Sequence, residues 1–175
     1  GMGTYAPNVE ALPLLDSIDE ALVKPFLKGL QEDDVDYRGL IFMGIMIGDD
    51  GPQILEYNCR FGDPETQSVL ERLDGDLLDI MMATAKGELS SVEVKENDKK
   101  VVSLTLASGG YPASSEKGVP ITIPADLDDA KVFHAGTAKK DGGLVTAGGR
   151  VLTVTAVADD FETAMEKAYD AADKI

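Results

Sequence analysis

The sequence predicts an α+β protein built of two parts. Three observations predict this class: helical patterns flank a short pair of strand-like runs in the first half, glycine-separated β-rich runs dominate the second half, and a helical pattern closes the chain. With 175 residues, 43% of them hydrophobic, the chain is long enough to bury a core. We place the boundary at the polar segment after residue 89, so the predicted domains are residues 1–89 and 90–175.

The first predicted helix runs from Ile18 to Leu30. Its apolar residues recur every three or four positions, which is the period of one face of an α-helix. Asp16 and Ser17 come directly before it, and both residue types favour the N-cap position. We therefore expect Ser17 or Asp16 to cap this helix.

A β-hairpin is predicted next. The apolar run from Leu40 to Ile47 is short for a helix and is bounded by Gly39 and by Asp-Asp-Gly-Pro at 49–52. This pattern indicates a buried strand followed by a turn. Residues 53–58 then alternate between apolar and polar types, which predicts the second strand.

The second strand has two chemically different faces. Successive side chains of a strand point to opposite sides of the sheet. The polar face carries Glu56, Asn58 and Arg60, and the face expected to pack carries Leu55, Tyr57 and Cys59. We therefore expect Cys59 to be a small core residue.

Two helices are predicted after this strand. Asp63-Pro64-Glu65 is typical of a helix start, with Asp at the cap and Pro at the first helical position. One helix is expected from Pro64 to about Leu73. A second is expected from Asp76 to about Lys86, ended by Gly87.

The second half is predicted to be rich in strands. The predicted strands are Val101 to Ala107, Lys131 to His134, Leu144 to Thr146 and Arg150 to Ala158. A final helix is expected from Asp160 to Ile175. Its apolar stripe is Phe161, Ala164, Met165, Ala168 and Ala172. The only histidine, His134, is interpreted as a structural hydrogen-bonding residue.

Composition excludes several functional classes. The net charge of −16 disfavours a nucleic-acid surface or an anionic membrane as a partner, because long-range repulsion opposes both. A single cysteine excludes an intrachain disulfide and a multi-cysteine zinc site. With no secretory or membrane-spanning pattern in the sequence, we expect a cytoplasmic protein.

The polar face of the second strand indicates a metal and phosphate site. A carboxylate at Glu56 and an amide at Asn58 are the oxygen ligands that Mg²⁺ prefers, with phosphates and waters completing its shell. The guanidinium of Arg60 adds a planar donor for a phosphate or carboxylate. From spacing alone, a solvated sheet face with an intrastrand ion pair is an equally good interpretation.

A family resemblance adds to this pattern. The segment EYNCRFGDPETQ (residues 56–67) resembles the characteristic motif of the phosphoribosylamine–glycine ligase family. Further segments resemble other motifs of that family in the same order. They are GMGTYAP at 1–7, YRGL at 37–40, ASGGYP at 107–112, VFHAGT at 132–137 and GGRVL at 148–152.

The resemblance implies an ATP-grasp enzyme of purine biosynthesis. Such an enzyme joins glycine to 5-phosphoribosylamine with ATP, through a glycyl phosphate intermediate, to give glycinamide ribonucleotide. It implies that Glu56 and Asn58 hold Mg²⁺ or Mn²⁺ against the ATP phosphates and that Arg60 is a catalytic cation near the phosphate. It also implies that residues 1–89 form the second half of an ATP-grasp fold and that residues 90–175 form the small β-rich C-terminal domain.

The family's chain is more than twice as long as this one. We therefore expect a fragment that needs the N-terminal domain and the ATP lid as partners and that is inactive alone. We also expect residues Gly1 to Gly3 to be disordered. Two alternatives are a stand-alone metal- or nucleotide-binding module and an interaction module without ligase activity.

Overall fold

The computed structural model describes residues 1–127 and 130–175, and it divides the chain into two compact units. The C-terminal unit comprises Gly1–Pro7, Asp63–Arg72 and Asn97–Ile175, and the hairpin unit comprises Asn8–Gly62 and Leu73–Glu96. Each unit is assembled from separated segments of the chain. The predicted domains are instead two continuous segments that meet between residues 89 and 90. That division stays a prediction.

Helices and antiparallel strands make up both units, which confirms the α+β class. The strands are β1 Gly3–Ala6, β2 Phe42–Gly48, β3 Gly51–Asn58, β4 Leu73–Asp74, β5 Lys95–Glu96, β6 Lys100–Ala107, β7 Pro120–Ile121, β8 Lys131–His134, β9 Thr137–Lys140, β10 Gly143–Thr146 and β11 Arg150–Ala158. The α-helices are α1 Leu15–Ile18, α2 Lys24–Glu32, α3 Glu65–Arg72, α4 Leu77–Lys86 and α5 Phe161–Asp173. In the part of the chain that the structure describes, no helix has the length and hydropathy needed to span a bilayer.

The first helical run of the hairpin unit starts earlier than predicted. A 3₁₀ turn over Leu12–Leu14 leads into α1, and a π-helical turn over Asp19–Val23 connects α1 to α2. The predicted cap is wrong, because Asp16 and Ser17 lie inside α1. The Ser17 hydroxyl donates to the carbonyl of Leu14 at 2.8 Å. The helical stripe was visible in the sequence, but the upstream turn that starts the helix was not.

The predicted hairpin is confirmed. β2 and β3 pair antiparallel around a turn that ends at Gly51, whose φ of +94° favours glycine. The expectation that β2 is buried is wrong for its second half, where Met46 is 54% and Ile47 is 41% exposed. The physical reason is that this sheet has only two strands, so little of either face is covered by a neighbouring element.

Helix α4 ends at the predicted Gly87, and Asp76, predicted as its first residue, is its N-cap. The carboxylate of Asp76 accepts hydrogen bonds from the amides of Leu78 at 2.8 Å and Asp79 at 3.2 Å. Gly87 ends the helix in the left-handed conformation, with φ of 75°. Both signals act within one helical turn, which is why the sequence predicts the bounds of this helix closely.

The C-terminal unit is built on a four-stranded sheet in the order β1-β6-β11-β8, with α3 and α5 packed against it. A separate sheet has the order β7-β10-β9. β6, β8, β10 and β11 were predicted, whereas β1, β7 and β9 were not. The expected disorder of residues 1–3 is wrong, since Gly3 pairs with Leu104 and the amide of Thr105 donates to the carbonyl of Met2 at 3.0 Å.

The core of this unit lies between α5 and the sheet. The helix buries Ala164, Ala168 and Ala171, whose small side chains let its backbone approach the strands. Met165 of the predicted stripe is instead 48% exposed. The carboxylate of Asp160 caps the helix by accepting from the amide of Thr163 at 2.8 Å.

Four hydroxyl groups form a chain through the same unit. The Oγ atoms of Thr4 and Ser68 lie 2.9 Å apart, those of Ser68 and Ser103 lie 2.8 Å apart, and those of Ser103 and Thr155 lie 2.8 Å apart. Ser68, Ser103 and Thr155 are buried. The chain therefore ties β1, α3, β6 and β11 together with polar bonds inside the core.

Candidate functional site

Strand β3 carries both predicted metal ligands, Glu56 and Asn58. Glu56 pairs with Gly44 and Asn58 pairs with Phe42 in the register of the hairpin. The register shifts once, at Leu55, and is regular from Glu56 onward. Because alternate side chains leave a strand on the same side, Glu56 and Asn58 project from one face of β3.

The Glu56 side chain is exposed and free of internal pairing. Within residues 1–127 and 130–175 its carboxylate has no hydrogen-bond or ion-pair partner. Opposite it, Gly44 has no side chain, and a Cβ built there would lie 3.0 Å from the Cγ of Glu56. The glycine therefore gives the Glu56 side chain its room on this face.

The Asn58 side chain is half-buried and incompletely bonded. Its Nδ2 atom is buried and has no hydrogen-bond partner among the described residues. Buried amide groups are nearly always bonded, so this amide fits contact with a polar group from a ligand. Together with the Glu56 carboxylate, the Asn58 amide oxygen offers the kind of ligands that suit a hard divalent cation. Phosphate oxygens would complete the coordination shell of such a cation.

Arg60 lies two residues beyond the end of β3. Its guanidinium is exposed and donates from Nη1 to the carbonyl of Phe61 at 2.9 Å. It makes no salt bridge to Glu56 or to any other carboxylate in the described ranges. The intrastrand ion pair of the alternative interpretation is therefore not formed.

The opposite face of β3 differs from the prediction. Leu55 is 64% exposed, Tyr57 is 45% exposed and Cys59 is exposed, so the expectation of a packed face with a core cysteine is wrong. Among the described residues, β3 pairs with β2 alone, which leaves this face largely open. The ring of Phe26 stacks on Tyr57 with centroids 4.9 Å apart. The pKa of the Tyr37 hydroxyl is raised, mainly by desolvation and to a smaller extent by a hydrogen bond with the Cys59 thiol.

Asp63 contacts a residue to which the sequence analysis gave no role. Arg150, at the start of β11, donates from Nη2 to the Asp63 carboxylate at 3.0 Å and from Nη1 to the Asp63 carbonyl at 2.6 Å. Gln67 donates from Nε2 to the other carboxylate oxygen at 3.1 Å. Arg150 lies in the motif GGRVL, and its position in a motif was the only signal that could have found it.

The described residues do not form an all-protein metal cage. Among the described residues, no group of three or more His, Cys, Asp or Glu side chains is placed to hold a metal ion. His134 is exposed, and its Nδ1 atom lies 3.1 Å from the hydroxyl of Thr137. A cation bound here would therefore depend on Glu56, Asn58 and ligand oxygens, as Mg²⁺ commonly does.

Comparison with known proteins places these residues in a family. A family model described as phosphoribosylglycinamide synthetase, ATP-grasp (A) domain, matches residues 1–66, which include Glu56, Asn58 and Arg60. A second model, described as phosphoribosylglycinamide synthetase, C domain, matches residues 101–175 and includes Arg150. The two models thus match both halves of the chain in order.

Similar proteins agree with the family models. A phosphoribosylamine–glycine ligase of Agrobacterium fabrum is 44% identical over 177 residues, which are 100% of this chain and 42% of that protein. A bifunctional purine biosynthetic protein of Pichia angusta is 45% identical over 179 residues, covering 100% of this chain and 23% of that protein. This chain therefore spans less than half the length of these curated relatives.

A solved structure confirms the fold. The crystal structure of a phosphoribosylamine–glycine ligase from Thermotoga maritima matches with a TM-score of 0.87 and 36% identity, covering 99% of this chain and 43% of that one. The predicted second half of an ATP-grasp fold, followed by a β-rich part, agrees with this match and with the family models. The chain belongs to the phosphoribosylamine–glycine ligase family.

Proposed function

We propose that this chain supplies the metal- and phosphate-binding part of an ATP-dependent ligase that joins glycine to 5-phosphoribosylamine. The observation that carries the proposal is the placement of Glu56 and Asn58 on one face of β3, with the Glu56 carboxylate free of internal partners in the described ranges. Glu56 and Asn58 are therefore both available to bind a divalent cation.

Glu56 and Asn58 are the residues that would hold Mg²⁺ or Mn²⁺. Their oxygens match the hard-ligand preference of both ions, and the unpaired Nδ2 of Asn58 fits a phosphate oxygen beside the ion. When bound, the ion supplies charge neutralisation for the transferring phosphoryl group of ATP. The protein's contribution is to orient the two side chains from a rigid strand.

Arg60 is proposed as the cation that stabilises the negative charge of the reacting phosphate or acyl phosphate. Its guanidinium is exposed and, within the described part of the chain, has one backbone acceptor, which leaves most of its donors for oxyanions. It follows the two proposed metal ligands in the chain, two residues beyond the end of β3. In this role its charge would offset the charge that phosphoryl transfer develops.

The remaining parts of the active site are proposed to come from other domains of the ligase. These are the N-terminal domain and the ATP lid, and the substrates are ATP, glycine and 5-phosphoribosylamine in the cytoplasm. The hairpin unit supports this, because it exposes large apolar side chains that an isolated protein would normally cover. The most exposed of them are Leu78, Leu55, Leu15, Val94 and Met46.

Isothermal titration with Mn²⁺ and ADP tests the proposal. We expect weak or no binding to the 175-residue chain, and binding and glycine-dependent ADP release in a complete ligase that contains these residues. Glu56→Gln should abolish Mn²⁺ binding in the complete ligase. Glu166→Gln on the exposed surface of α5 is the matched control, and equal binding by the two variants would refute the proposal.

A further inference from the structure

The stack of Phe26 on Tyr57 supports β3 from the side opposite to the proposed ligands. The two ring planes are 20° from parallel, and their centroids lie 4.9 Å apart. Tyr57 lies between Glu56 and Asn58 in the chain, so its side chain leaves β3 on the other face. All four residues belong to the hairpin unit, and the relationship therefore lies within one compact unit.

This support matters because β3 belongs to a small sheet. Among the described residues β3 pairs with β2 alone, and a two-stranded sheet is marginally stable unless it packs against another element. The π-helical turn over Asp19–Val23 packs against β3, and α2 follows that turn directly, with half-buried Phe26 in its first turn. The helical run therefore packs on the strand that carries the proposed ligands.

A second contact holds the chain just after the strand. The hydroxyl of Tyr37 donates to the carbonyl of Leu40 at 2.8 Å and also forms a hydrogen bond with the thiol of Cys59. Because the Tyr37 hydroxyl has one proton, the Cys59 thiol is the donor in the second bond. Cys59 lies between Asn58 and Arg60. Aromatic side chains thus contact the chain at both positions that separate the proposed site residues.

We propose that Phe26 is a positioning residue for the divalent cation site, acting through Tyr57 on the orientation of Glu56 and Asn58. This inference rests on the proposed function of those two ligands. A bound cation needs both side chains held within about 0.5 Å of the productive geometry. The stack favours the strand orientation that meets this need, and molecules outside that orientation weaken the apparent affinity in proportion to their fraction. Phe26 does not touch the cation in this role.

The experiment measures Mn²⁺ affinity in the presence of ADP, from the electron paramagnetic resonance signal of free Mn²⁺, in a complete ligase that contains these residues. Phe26→Leu keeps an apolar side chain but removes the stack. We expect it to weaken Mn²⁺ binding by about 2- to 10-fold, the equilibrium equivalent of one aromatic pair. Phe26→Tyr retains an aromatic ring and should restore the wild-type affinity.

Changing the partner ring tests whether the effect passes through the stack. Tyr57→Leu should weaken Mn²⁺ binding by a similar factor. The double variant of Phe26→Leu and Tyr57→Leu should be no weaker than the weaker single variant, because both changes remove the same contact. Additive losses would mean that Phe26 acts by another route, which would contradict the proposed role.

Phe161→Leu is the matched control for a general loss of stability. It makes the same change in the C-terminal unit, where the rings of Tyr5 and Phe161 meet edge to face with centroids 5.5 Å apart. We expect its melting temperature to fall and its Mn²⁺ affinity to stay at the wild-type value. Phe26→Leu should change the affinity itself and leave the number of Mn²⁺ ions bound per molecule unchanged, whereas partial unfolding lowers that number.

The outcomes separate this inference from the proposed function. If Glu56→Gln leaves Mn²⁺ affinity unchanged, the proposed function fails and the inference falls with it. If Glu56→Gln weakens binding but Phe26→Leu does not, only the positioning role is overturned. Equal weakening by Phe26→Leu and Phe26→Tyr, or by Phe26→Leu and Phe161→Leu, would also overturn it, because neither result would depend on the stack with Tyr57.

Discussion

The Oγ atoms of Ser68 and Ser103 lie 2.8 Å apart in the core of the C-terminal unit, although the two residues are 35 positions apart in the chain. Their hydrogen bond has a defined direction. Thr4 donates its only hydroxyl proton to the carbonyl of Pro64, so Ser68 must donate to Thr4. It follows that Ser103 donates to Ser68 and Thr155 donates to Ser103.

Replacing Ser103 tests this arrangement. Ser103→Ala leaves the Thr155 donor buried without an acceptor, and we expect a loss of about 1–3 kcal/mol in the free energy of unfolding. Adding Thr155→Val removes the orphaned donor and should recover part of that loss. Urea unfolding of both variants measures the difference, and a double variant that simply sums the single losses would argue against the hydrogen-bond chain.

Glu56 is expected to matter for turnover and not for folding. In a complete ligase, Glu56→Ala should lower the rate by about 100-fold or more, because a metal ligand acts on the charge of the transition state. The melting temperature should stay near that of the wild type, since the Glu56 carboxylate is exposed and has no partner in the described ranges. An unchanged rate would remove Glu56 from the mechanism.

The glycine opposite Glu56 provides an independent test of the site. Gly44→Ala would place a Cβ 3.0 Å from the Cγ of Glu56 and displace that side chain. We expect Mn²⁺ binding by the complete ligase to weaken about tenfold or more, as when a positioning contact is lost. Gly48→Ala is the matched control on the same strand, because no atom lies within 4 Å of its Cβ position. Equal affinity of the two variants would contradict the proposed arrangement.

Asp160 is expected to make stability depend on pH. Hydrogen bonds from the amide and the hydroxyl of Thr163 hold the pKa of the Asp160 carboxyl below its usual value. A lowered folded-state pKa means that the stabilisation is complete above the unfolded pKa and is lost as the pH falls through the folded pKa. Thermal unfolding should therefore show a wild-type advantage over Asp160→Asn at neutral pH that shrinks in acid. An advantage that does not change with pH would contradict this assignment.

Local signals explain why several elements were predicted well. Helix α4 has its Asp76 cap and its Gly87 stop within one turn of its ends, and α5 begins directly after Asp160, the predicted start of that helix. The β2–β3 hairpin follows from alternation and the turn before Gly51. These interactions join residues close in the chain, so sequence pattern alone was sufficient.

The errors concern burial and long-range contact. Cys59 and Tyr57 were expected to pack, but a two-stranded sheet leaves them exposed. The predicted cap of the first helix failed because the chain starts that helix with an earlier turn. Periodicity shows which residues share a face, but it does not show whether another element covers that face.

The sequence by itself determined the α+β class, the family, and the alternation that puts Glu56 and Asn58 on one face of a strand. Only the tertiary structure brought Arg150 to Asp63 across 87 positions and gave Gly44 its contact with Glu56. The physical reason is that local geometry depends on neighbouring residues in the chain. Pairing and packing depend on which distant segments the whole fold brings together.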